Sequence, residues 1–137
     1  MPFMLMDHEG NDPRQEIYSK IGMTKLGELS GFDLLRNDVL LGIYIRPKKT
    51  ATGIHLSDQY RDEDKNQGKS ALVLALGPTA FASDAHATFD ERQKVAPGDW
   101  VSIWVSDGRQ ININGHPCRI IRDQEIVARI RSPDMIF

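Results

Sequence analysis

From residue 36 the chain is broken into short runs of strand-forming residues, each stopped by glycine, proline or an aspartate turn. This punctuation limits the fold more than any other feature. Residues 39–45 read Val-Leu-Leu-Gly-Ile-Tyr-Ile and stop at Pro47, and residues 71–76 read Ala-Leu-Val-Leu-Ala-Leu and stop at Gly77-Pro78. Pro97-Gly98-Asp99 turns the chain into a third run, 100–105, which ends before Asp107-Gly108. Residues 111–113 alternate and meet Asn114-Gly115, a pair suited to the positive φ angles of a two-residue hairpin turn. Runs at 118–121 and 126–130 follow, with Asp123-Gln124 between them. β-branched and aromatic residues suit a pleated, half-buried surface, and closely spaced turns favour antiparallel neighbours. No strong helical period lies among these runs, so the segment reads as all-β, a barrel or a sandwich. Its expected core is Val39, Leu41, Leu72, Leu74, Val101, Ile103, Ile120 and Ile130. Trp100 and Trp104, four apart, are expected on one face of their strand, in the core or at its rim.

A chain of 137 residues, 40% hydrophobic, fills one core and leaves room for an appended arm. The division falls near residue 31. Residues 1–31 are the expected arm, partly helical or irregular, and residues 32–137 the barrel domain. In the arm, Asp12 is placed to cap a short helix, Pro13 suits its first position, and Gln15 stands where a capping box takes Glu or Gln. Ile17 and Ile21 share a face of that helix, and Gly22 and Gly27 oppose anything longer. Residues 1–35 carry net −3 and the remainder net +1.

An overall charge of −2 supplies no electrostatic footprint for nucleic acid or an acidic membrane surface. No apolar run approaches the ~18–20 residues of a membrane span. Residues 1–7 lack the basic start and small-residue cleavage site of a secretory leader. The single cysteine, Cys118, allows no internal disulfide framework and suits a reducing cytoplasm.

Two connections are long for a compact domain, 46–70 and 77–97. The later half of the first, 57–70, has seven charged residues in 14 and one aromatic, Tyr60. Such a stretch buries too little apolar surface to offset the entropy of ordering. Within the same connection stands Gly53-Ile54-His55-Leu56. In an extended chain Ile54 and Leu56 point one way and His55 the other. Two aliphatic anchors in a polar loop suit a hydrophobic groove on a partner.

Catalytic chemistry is sparse. The four histidines are His8 in the arm and His55, His86 and His116 in expected loops. His116 and Cys118 are the only metal-ligand types close together, and a structural zinc site takes four ligands, so a turn histidine beside a buried cysteine is the better reading. No glycine-rich phosphate loop and no Gly-x-Ser-x-Gly elbow is present. Asp62-Glu63-Asp64 lacks the spacing of a calcium loop and reads as a solvated charge run. Asp84 and Asp90 are single acids. The residues point to no enzyme and to no cofactor or metal.

The order of these features resembles the GroES-type co-chaperonins over about residues 32–137. Residues 32–41 are similar to that family's first strand, and Thr52-Gly53-Ile54-His55-Leu56 resembles its Gly-Gly-Ile-Val-Leu loop tip. Residues 71–77 resemble its Gly-Glu-Val-Leu-Ala-Val-Gly strand. Residues 95–99 resemble its Val-Lys-Val-Gly-Asp turn, with 100–104 as the strand after it. Ser106-Asp107-Gly108 matches an Asn-Asp-Gly turn, and 120–130 resembles the closing hairpin and last strand. The specificity lies in order and spacing, since no motif is distinctive alone. The resemblance implies an irregular β-barrel in a seven-membered ring, with a mobile loop per subunit that docks on a chaperonin's apical domains and caps its folding chamber. Gly53, Ile54, His55 and Leu56 are then the partner-binding residues.

Three features depart from the family's pattern. His55 replaces an aliphatic residue, which implies weaker, pH-sensitive docking. The limb after Leu56 is longer and more charged. Residues 1–31 have no counterpart. A second reading therefore stands beside the first: a diverged GroES-like structural protein, for instance from a bacteriophage, that decorates or assembles a capsid. Its partners would be virion capsid proteins and its location the virion. An enzyme built on the same barrel is a third reading, without a catalytic constellation to support it.

Overall fold

A computed structural model describes residues 12–22, 32–46, 69–82 and 94–133. Their elements are one α-helix, α1 (Pro13–Ile21), six strands, β1 (Asp38–Ile43), β2 (Ser70–Leu76), β3 (Trp100–Ile103), β4 (Arg109–Ile113), β5 (His116–Arg122) and β6 (Ile126–Ile130), and a 3-10 turn, Asp123–Glu125, between the last two. All pairings are antiparallel, in the order β4-β5-β1-β2-β3-β6. The mostly β architecture is the fold class that the punctuation predicts.

The turns form where their residues require. Asn114 and Gly115 both take positive φ, 50° and 84°, and join β4 to β5 through the two-residue hairpin that this pair favours. Gly108 leads into β4 with φ of 81°, and an added Cβ would meet the Ile121 side chain and the Ile120 carbonyl, so no other residue fits without movement.

The two inner strands are buried on both faces. Val39, Leu41 and Ile43 of β1 join Ala71, Val73, Val101, Ile103 and Ile121 in one apolar cluster, sealed by Phe81 and Val95. Leu40 and Tyr44 join Leu72, Leu74, Trp100 and Cys118 in a second cluster. The register is irregular between Leu40 and Leu41 against β2 and between Ser102 and Ile103 against β6, the two-against-one count of a β-bulge. Of the expected core, Val39, Leu41, Leu72, Leu74, Val101 and Ile103 are buried. Ile120 and Ile130 are only partly buried, packed against the rim of the second cluster, because they stand near the outer strands.

α1 covers the second face. Asp12 Oδ1 accepts the Arg14 N–H at 3.0 Å, Pro13 opens the helix, and Gly22 closes it in the left-handed region with its N–H on the Tyr18 carbonyl. The expected shared face of Ile17 and Ile21 is the one that buries. Among the described residues no helix is long and apolar enough to cross a membrane, which says nothing of strands.

Candidate functional site: the base of the long connection

Gly53, Ile54, His55 and Leu56 lie outside the described residues, as do His8, His86, Asp84, Asp90 and the acids 62–64. The ends of their connection are described, and they are firmly held. The outgoing end follows β1, where the Ile43 carbonyl accepts a hydrogen bond from His116 Nε2 at 3.0 Å and Tyr44 N–H donates to the Ser70 carbonyl at 3.0 Å. On the returning end, the Lys69 carbonyl accepts from Ile103 N–H at 2.9 Å. Ser70 Oγ, fully buried, donates to the Pro133 carbonyl at 3.1 Å. Tyr44 meets Trp100 edge to face, with centroids 5.7 Å apart and planes at 79°. Satisfied polar groups and an aromatic pair thus clamp both stems to β3 and β5.

His116 corrects the sequence reading. It opens β5 instead of lying in a loop, and it is only 4% exposed. Its partner is a carbonyl, which only accepts, so the proton sits on Nε2 in the neutral ring. Burial pushes its pKa down to about 4; the bond to Ile43 opposes this shift and the nearby Lys20 charge reinforces it. Cys118 is buried, as expected, and burial pushes its thiol up to about 12 against a hydrogen bond from Ile113. Two side chains tied up in packing make no metal centre. Among the described residues no group of three His, Cys, Asp or Glu is placed to hold an ion.

Trp104 is a second correction. It follows β3, past the register irregularity at Ile103, and is 65% exposed while Trp100 is buried. The alternation that would have put both indoles on one face stops before Trp104. Trp104 lines a cleft of about 470 Å³ with Asp107, Gln124, Glu125, Ile126 and Val127.

Two polar residues escaped sequence reading. Arg119 is 2% exposed, and its guanidinium donates to the carbonyls of Trp104, Val105 and Asp107, so one buried cation holds the turn between β3 and β4. Desolvation lowers its pKa and the Asp107 charge opposes this. Asp123 is 3% exposed and accepts from Phe81 N–H at 2.8 Å, Gln124 N–H at 2.7 Å and Asn37 Nδ2 at 3.2 Å. It pins Phe81, whose φ is 61°, to the end of β5. An arginine inside an apolar strand run was the available signal for the first. Asp123 looked like any other turn acid.

No curated protein matches the chain. A family model described as Chaperonin 10 Kd subunit matches residues 32–130, nearly three quarters of the length. The match spans β1 to β6 with both ends of the long connection. The chain therefore belongs to the chaperonin 10 Kd subunit family, and it is a co-chaperonin that assists protein folding, not an enzyme.

Proposed function

We propose that the connection between Arg46 and Lys69 is the docking loop of a seven-membered ring that caps a chaperonin's folding chamber. Family membership implies the chaperonin partner and the seven-fold assembly. The paired base of the connection, with Tyr44 N–H on Ser70 and Lys69 on Ile103, is the observation that carries the loop assignment. Ile54 and Leu56 are its apolar anchors, Gly53 lets the backbone approach the groove, and His55 sits between the anchors. Each loop loses entropy on ordering and so binds weakly alone, and seven on one ring bind together at high effective concentration. Weak single contacts keep the cap releasable. The cytoplasm, where newly made chains meet a chaperonin, is the compartment this reading requires.

The test is capture of the protein by a purified chaperonin ring with nucleotide, wild type against the double variant Ile54→Ser, Leu56→Ser. Nucleotide-dependent capture is expected for the wild type and is lost in a variant that still folds and forms the ring. A variant that unfolds places these residues in the core and refutes the loop. Capture of neither protein turns the assignment to a structural use of the barrel, such as on a viral capsid.

A further inference from the structure

The family match begins at Phe32, yet α1, which precedes it, is built into the sheet next to the stems of the long connection. Ile17 packs directly over Gly42, two residues before Tyr44: an added Cβ on Gly42 would stand 2.9 Å from Ile17 Cγ2. Ile17 and Ile21 share one cluster with Leu40, Tyr44, Trp100 and Cys118. Arg14 lies over the Trp100 ring at 5.9 Å from its centroid and donates from Nε to the Gly98 carbonyl at 2.8 Å. Trp100 is the ring on which Tyr44 rests. At the other end of α1, Asn114 of the β4–β5 turn donates from Nδ2 to the Ile21 carbonyl at 2.9 Å. The next residue but one, His116, holds the Ile43 carbonyl. At its start α1 thus touches the ring that carries Tyr44, and at its end it holds a turn residue two positions before the histidine that grips the Ile43 carbonyl.

We propose that α1 is a positioning element for the docking loop: it locks Trp100 and the β4–β5 turn, and through them Tyr44 and Ile43, so that the loop leaves the sheet from a fixed base. A loop rooted in a fixed base has fewer orientations to lose when it docks, and seven such roots multiply the effect around a ring. The geometric part stands on the contacts above; only the docking part rests on the loop reading.

The test uses the full-length ring and the variant Arg14→Ala, Ile17→Ala, with Asn114→Ala as a milder one that removes only the tie at the C-terminal end of α1. Ile121→Val, in the opposite cluster, serves as a control of general destabilisation. Hydrogen exchange reads the amides of Tyr44 and Ile103, the donors that close the stems. Loss of protection at Tyr44 of tenfold or more is expected in the α1 variants and not in Ile121→Val. Chaperonin affinity should fall about tenfold, mainly through faster dissociation. If the Gly22 amide, which caps α1, exchanges freely while Tyr44 stays as protected as in wild type, α1 is a cover and the proposal fails. A wild-type ring that no chaperonin binds refutes the docking reading instead, and the exchange result still decides the role of α1.

Discussion

His116 makes the fold sensitive to acid in a way that one substitution removes. In an unfolded chain the ring takes up a proton near pH 6.5, whereas in the fold it does so near 4. A depressed pKa stabilises the fold at pH above the unfolded value, and this contribution is lost as pH falls from 6.5 towards 4. At about 1.4 kcal/mol per pH unit, the loss between pH 7.5 and pH 4.5 comes to about 2.5 kcal/mol. Glutamine in its place keeps an N–H for the Ile43 carbonyl but binds no proton. Urea unfolding of wild type and His116→Gln at both pH values, at one fixed protein concentration, isolates the effect. All carboxylates and the other three histidines are common to both proteins and cancel in the double difference. Wild type should lose about 2.5 kcal/mol more than the variant on acidification. Equal losses, within about 0.5 kcal/mol, would mean that the ring is hydrated in the fold and that its burial does not govern its proton.

Two further outcomes follow from buried groups. Cys118, with its thiol raised to about 12, should resist alkylation at pH 8 in the native ring and react readily once urea unfolds it; fast native labelling would contradict its place between β1 and β4. Asp123→Ala strands the Phe81 and Gln124 N–H groups and should cost about 2–4 kcal/mol by urea midpoint, with Asp123→Asn costing less because one acceptor oxygen remains. A cost below about 1 kcal/mol for the alanine variant would show that water replaces the carboxylate.

Much of the fold was legible because it rests on local chemistry. Every strand run coincides with a strand to within a few residues, since each is bounded by a residue that cannot continue it. Asp12, Pro13 and Gly22 mark the ends of α1 through their own backbone and side-chain preferences. The reading failed where a side chain's surroundings come from distant parts of the chain. Counting sets Trp104 on the face of Trp100, but β3 and its pairing with β6 end at Ile103, so strand alternation does not reach Trp104. Ile120 and Ile130, expected in the core, pack only at its rim, which depends on strand order.

What the sequence determined alone is the set of strands, their turns, the capped helix and, through order and spacing, the family. The reason is that propensity, turn chemistry and apolar alternation act over a few residues and are written there. The tertiary structure decided which polar residues are buried. His116 and Asp123 are ordinary in sequence and Arg119 stands out only as a charge in an apolar run, and each gains its role from a carbonyl or N–H supplied by another segment of the chain. It also decided that α1 stands against the base of the long connection, since only antiparallel pairing of β1 with β2 and β5 brings Gly42, Tyr44 and Asn114 within its reach.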